Sequence, residues 1–261
     1  MGLAVGDVDR DGDEDLFLTN WQLEANALYV NRLYGGFERR TRRASFHDAT
    51  VHAGLGRTGV GFTSWGAVLF DLELDGDLDL FVANGYTSPD YAGTGICVGQ
   101  PNHLFVGDGE GRFDEAHDLA PGALSPWLAS RGAVGCDYDQ DGDLDLIVTA
   151  NNGPAQLLRN DAPRRGEWLG VRLSQPGPNP FAIGAEVTVR VERGGLETLY
   201  RRSLRAGEGY LTGNAPELHF GLGPLVGDAR VTGVTVRWPD GVEQEFPAPG
   251  IRGWSTLERM P

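Results

Sequence analysis

One pattern recurs three times in the first two-thirds of the chain, and it limits the fold more than any other feature. It reads GLAVGDVDRDGDEDLFLTN from Gly2, GAVLFDLELDGDLDLFVAN from Gly66 and GAVGCDYDQDGDLDLIVTA from Gly132. The first acidic positions, Asp7, Asp71 and Asp137, lie 64 and 66 residues apart. Repeats of this period belong to units that cannot bury a face alone and must stack on their neighbours. Within each copy an apolar run precedes an acidic glycine turn, and a second apolar run follows, such as Leu16-Phe17-Leu18 or Leu80-Phe81-Val82. Short runs rich in Val, Leu and Phe read as strands and not as helices. A third strand is expected at Ala27–Val30, His103–Val106 and Gln156–Leu158, and a fourth around Ala44–Phe46 and Gly111–Phe113 in the first two copies.

Units of three or four antiparallel strands at this spacing read as β-propeller blades. A β-sandwich with acidic hairpin loops is the competing arrangement. Closed propellers have about 4–8 blades, so three copies do not complete a ring. The remaining blades are expected upstream in the same chain or supplied in trans.

The acidic turns carry the chemistry. Counting from Asp7, acidic side chains stand at positions 1, 3, 5, 7 and 9 as Asp7, Asp9, Asp11, Asp13 and Asp15, with Gly12 at position 6. The second turn gives Asp71, Glu73, Asp75, Asp77 and Asp79 around Gly76; the third gives Asp137, Asp139, Asp141, Asp143 and Asp145 around Gly142. Alternate carboxylates can converge on one point where glycine allows a sharp reversal, and the position-7 carbonyl adds another oxygen. A flexible ring of hard oxygen ligands suits Ca²⁺ better than the strictly octahedral Mg²⁺. Carboxylates this dense repel one another unless neutralised, which independently calls for a cation. About three Ca²⁺ ions are expected, one per turn, with the longer arm of Glu73 setting the second turn apart. These are not EF-hands: Leu18, Val82 and Val148 stand where the position-12 glutamate would be, and the flanks are strands.

Composition removes other classes. The 261 residues hold 22 basic side chains, all arginine, against 37 acidic ones, for a formal charge of −15. That balance excludes a protein that grips a phosphate backbone through a broad basic surface. No apolar run is long enough to span a membrane, and the opening MGLAVGDVDRDGDED carries no export signal. Residues 1–166 hold 26 acidic side chains against 12 arginines, and residues 167–261 hold 11 against 10. The change falls beside DAPRRGEW at 161–168 and places a boundary between domains 1–166 and 167–261. The second domain reads as a small antiparallel β unit, with strands at Trp168–Leu173, Ala185–Val189 and Val231–Val236 and a Pro239-Asp240-Gly241 turn.

Other residues carry less. His47, His52, His103, His117 and His219 are too scattered for a local zinc cluster. Cys136 directly precedes Asp137 in a strand and reads as a buried thiol, with a bridge to Cys97 the lesser alternative. The glycine pairs at 207–209 and 221–223 sit in no nucleotide-binding array and read as turns.

The GxxxxDx[DE]xDGDxDL motifs resemble FG-GAP/VCBS repeats, the integrin-α-like propeller modules. The stretches EWLGVRLSQPGPNPFAIGAEVTVRV, GEGYLTGNAPELHFGLGP and VTVRWPDGVEQEF resemble the ASPIC/UnbV domain, and the arrangement as a whole resembles the C-terminal half of a cartilage-acidic-protein-like family member. The resemblance implies a calcium-binding propeller, seven-bladed when complete, usually in a secreted or surface protein, followed by a small β domain. The expected function is a calcium-stabilised extracellular or cell-surface module that binds or scaffolds a protein or surface glycan. The alternative is an uncharacterised carbohydrate-active enzyme with its site on the propeller rim or at the domain joint.

Overall fold

In the computed structural model the structure describes residues 1–32, 45–89, 97–116, 118, 121–124 and 128–260. The first repeat forms a four-stranded antiparallel sheet in the order β1 (Leu3–Gly6), β2 (Asp15–Leu18), β3 (Ala27–Asn31), β4 (Phe46–Asp48). The second forms β5 (Ser64–Phe70), β6 (Asp79–Pro89), β8 (His103–Gly107) and β9 (Phe113–Glu115), with β7 (Cys97–Gly99) paired to the far end of β6. One helical turn, α1 (Pro121–Leu124), precedes the third sheet of β10 (Ser130–Cys136), β11 (Asp145–Ala150) and β12 (Gln156–Leu158). The expected fourth strands are β4 and β9, each displaced about two residues toward the C-terminus, and Ala44 lies outside the described residues.

Alternation along the strands sends each blade's two faces to different neighbours. Phe17, Leu28, Leu80, Val82 and Phe105 pack between the first and second blades, and Val68, Phe70, Phe81, Leu104, Leu146 and Val148 between the second and third. The middle blade is therefore covered on both faces. Among the described residues the first and third blades are covered by a neighbouring blade on one face only, so the propeller is partial. On the other face of the third blade, Val134, Ile147 and Leu157 form one cross-strand row, with Leu157 exposed.

A second unit follows. One of its sheets has the order β16 (Glu217–Gly221), β13 (Trp168–Ser174), β19 (Trp254–Glu258); the other has β15 (Leu196–Ser203), β14 (Glu186–Arg193), β17 (Arg230–Arg237), β18 (Glu243–Phe246). Its core of Leu169, Val171, Val187, Val189, Val191, Phe220, Val234, Val236 and Trp238 lies between them. β17 and β18 are joined by the expected turn, where Gly241 N–H donates to the Trp238 carbonyl at 2.8 Å. Pairing is antiparallel except between β13 and β19, which run parallel. A parallel pair needs a long crossover, and the intervening strands supply it.

Residues 208–212 of this unit reach the inner strands of the blades. Leu3 and Gly209 exchange two backbone hydrogen bonds, at 3.2 and 2.8 Å, and Glu208 Oε1 accepts from Val5 N–H at 3.1 Å. Tyr210 meets the Trp65 ring edge-on with centroids 4.8 Å apart.

Candidate metal sites at the joint between the two units

Each acidic turn links the first two strands of a blade and is built by one repeated device. The position-9 aspartate, first residue of the second strand, is buried and accepts two backbone N–H groups. Asp15 takes Val8 at 2.9 Å and Asn31 at 2.8 Å; Asp79 takes Leu72 at 2.6 Å and Gly107 at 2.9 Å; Asp145 takes Tyr138 at 3.1 Å and Asn160 at 2.8 Å. One bond closes the turn and the other ties it to the end of the third strand or, for Asp145, to Asn160 two residues beyond it. Gly12, Gly76 and Gly142 adopt φ of 90°, 99° and 101°, a region that residues with a Cβ rarely enter.

Among the described residues, two groups of three carboxylates bring ligand atoms within 4.8 Å of one another: Asp7, Asp9, Asp15, and Asp137, Asp139, Asp145. Asp7 Oδ1 and both carboxylate oxygens of Asp137 are buried without a hydrogen-bond partner, as is Oδ1 of Asp143. Orphaned acceptors of this kind are rare and costly in folded proteins. Clustered around converging hard oxygens, they fit a divalent cation such as Ca²⁺. Asp11 lies to one side, sharing Arg32 with Asp9 at 2.7 and 2.5 Å, and accepts from Asp13 N–H. In the third turn Asp141 and Asp143 share Arg164, at 2.7 and 3.1 Å.

The second turn differs. Asp71 accepts from Asp75 N–H at 3.1 Å and Gly76 N–H at 2.8 Å, Asp77 pairs with Arg10, and Glu73 pairs with Arg165 at 2.9 Å, which also lies 3.6 Å from Asp75. Asp71, Glu73 and Asp79 are each under 5% exposed.

Burial pushes these carboxyls upward. Asp7 and Asp143 rise to about 6, Asp15 and Asp71 to about 7, and Asp79 to about 8, with desolvation the leading cause in each. A carboxyl whose folded pKa is raised binds more protons folded than unfolded, so its stabilisation is lost as pH climbs through the folded value. His219, pushed down to about 4 by burial, acts in the opposite direction between about pH 4 and 6.5. The metal-stripped chain is therefore expected to gain thermal stability as pH falls from 8 to 6.5, where the histidine does not yet oppose the trend. Circular dichroism melts at the two pH values check this, and a higher midpoint at pH 8 would contradict it.

Comparison with known proteins places the second and third of these turns in a family. Residues 71–148 match the FG-GAP-like repeat and residues 175–258 match ASPIC and UnbV. This is an FG-GAP-like repeat chain carrying an ASPIC and UnbV domain. It is 30% identical over 244 residues to cartilage acidic protein 1 of Mus musculus and of Homo sapiens, and 28% over 246 residues to that of Xenopus tropicalis, covering 92% of this chain in each case. The chain spans about a third of the length of these relatives, the alignments covering 33–34% of them. The FG-GAP-like match covers the second and third turns. Asp7–Asp15 lies before it, yet repeats the same hydrogen-bonded device.

The three acidic turns all face the unit that carries the ASPIC and UnbV match. Arg201 donates from Nη1 to the Gly12 carbonyl at 3.1 Å, and Gly223 N–H donates to the Leu74 carbonyl at 3.0 Å. His219 Nε2 lies 2.9 Å from the Gly142 carbonyl. A carbonyl only accepts, so Nε2 carries the proton. His219 also stacks on Trp168, with centroids 5.4 Å apart. None of Arg201, Tyr200, Trp168 or His219 stood out in the sequence as belonging to the acidic turns. The repeats announce the turns, but nothing in the pattern says what covers them.

The remaining single residues have local roles. His103 is buried against Phe62 and Phe105, His47 and His52 are exposed, and His117 lies outside the described residues. Cys136 is a free thiol, half-buried and not fully buried as the sequence suggests, because it ends β10 at the rim of the acidic turn. Among the described residues no helix is long and apolar enough to cross a membrane.

Proposed function

We propose that the acidic turns bind Ca²⁺, about three ions, one per turn. Asp7, Asp9 and Asp15 with Asp11 and Asp13 would serve the first, and Asp137, Asp139 and Asp145 with Asp141 and Asp143 the third. The second would use Asp71, Glu73, Asp75, Asp77 and Asp79, with Arg10 and Arg165 giving way or remaining as partial countercharge. The observation that carries this reading is the convergence of carboxylates around buried oxygens that have no other partner. Bound ions would tie the first two strands of each blade together across the turn, because an unfolded chain cannot assemble the oxygen cage.

In this reading residues 1–166 are the blades of a longer propeller and residues 167–261 form the domain that caps them. Further blades, from the same chain or another, would cover the row of Val134, Ile147 and Leu157. The chain would act as an extracellular or cell-surface module that binds or scaffolds a protein or glycan partner. The enzymatic alternative is less well supported: Glu73 is 4% exposed and engaged by Arg165, and side chains of the second unit fill the space over the turns.

Calorimetric titration of the full chain tests the ion reading. Asp137→Asn removes a carboxylate whose oxygens have no partner, so it is expected to lower the stoichiometry by about one ion while leaving the fold intact. Unchanged stoichiometry would refute the third site. A glycan and protein binding screen with and without calcium tests the partner reading, and binding indifferent to calcium would contradict it.

A further inference from the structure

All three position-6 glycines are in contact with the second unit. A Cβ built on Gly12 would fall on the Arg201 guanidinium, one on Gly142 on the Trp168 indole, and one on Gly76 2.5 Å from the Tyr200 ring. Positive φ alone explains why a turn prefers glycine. It does not explain why the space beside each of three turns, spread over 130 residues of sequence, is taken by the same second unit. The carbonyls of Gly12 and Gly142 are also held from that side, by Arg201 and His219. Those carbonyls immediately precede the position-7 residues Asp13 and Asp143. Any rearrangement of a turn around an ion therefore shifts the surface on which the second unit rests.

We infer that the acidic turns are the seat of the second unit, with Arg201, Tyr200, Trp168 and His219 acting as positioning residues, so that cation binding and seating form one coupled equilibrium. The inference rests on the calcium reading above and adds to it a role for side chains that supply no ligand. Coupling is reciprocal by linkage: ions that order the turns favour the seated unit, and a seated unit pre-organises the turns for ions. Three contact points on one rigid body reinforce each other, since two hold the third in register.

The test uses the full chain with Ca²⁺ alone as ligand. Arg201→Ala removes no carboxylate and is expected to weaken one of the calcium sites about tenfold, within the range of coupled sites, with stoichiometry unchanged. Arg201→Lys, which can still donate to the Gly12 carbonyl, is expected to restore part of that affinity; a merely structural defect would not be rescued this way. On the wild type, hydrogen exchange of residues 207–211, which contain no proposed ligand, is expected to speed up about tenfold on chelation, while the β14 amides at 186–193 stay protected. Calcium affinity equal to wild type in Arg201→Ala, or exchange at 207–211 indifferent to chelation, would overturn the inference while leaving the ion sites standing. Equal loss of protection in β14 would mean global unfolding and would also overturn it. A wild type that takes up no calcium would overturn the ion reading and this one together.

Discussion

Removing calcium from the full chain is expected to lower its thermal midpoint by about 20 °C at pH 7.5, the largest effect the structure implies. A ligand that binds only the folded state stabilises it by about 2.7 kcal/mol per site at a hundredfold excess over Kd. Three such sites contribute roughly 8 kcal/mol, and each kcal/mol moves the midpoint by about 2–4 °C in a chain of this size. The buried carboxyls add to the contrast: without an ion Asp79, Asp71 and Asp15 must either take up protons or remain charged away from water, and either choice costs stability near neutral pH. Calorimetric melts in millimolar calcium and in excess chelator measure the difference. Equal midpoints would mean that the turns are stable acidic loops with no resident ion.

The second large effect is expected at the contact between blades. Gly66 lies on β5 where it meets β10, and a Cβ there would stand 2.7 Å from the Arg131 carbonyl oxygen and 2.8 Å from Ala133 N. Both are backbone atoms of a paired strand and cannot rotate aside. Gly66→Val should force the second and third blades apart and cost about 3 kcal/mol, the upper end for overpacking a filled interior. Gly61→Ala is the control, because nothing lies within 4 Å of its Cβ position and its φ is unexceptional; it should stay within about 0.5 kcal/mol of wild type. Urea denaturation read by tryptophan fluorescence distinguishes them. A Gly66→Val midpoint matching the control would show that the blades can separate without loss, contrary to the shared core of Val68, Phe70, Leu146 and Val148.

Both predictions mix what a repeat displays with what it hides. Alternating Val, Leu and Phe beside Asp-x-Asp-x-Asp-Gly makes strand, acidic turn and strand legible, because strand period and turn chemistry are local properties of a few consecutive residues. The glycine that opens each repeat is equally visible, but its reason is not: Gly2 abuts the Trp65 carbonyl, Gly66 abuts the Arg131 carbonyl, and Gly132 meets Thr212 and the Tyr210 carbonyl. The first two contacts belong to the neighbouring blade and the third to the second unit, so identical letters face different partners.

By itself the sequence determined the all-β class, the three blades, the register of the acidic turns and the hard-oxygen character of their side chains. Each of these follows from periodicity, glycine placement and charge density within one repeat. Only the tertiary structure decided that Asp7, Asp9, Asp15 and Asp137, Asp139, Asp145 converge while the second turn is engaged by Arg10 and Arg165. It alone brought Trp168, Tyr200, Arg201 and His219 over the three glycines. Those contacts join residues from 26 to 189 positions apart in the chain, and which distant surfaces meet depends on the packing of whole sheets, a quantity that no local pattern encodes.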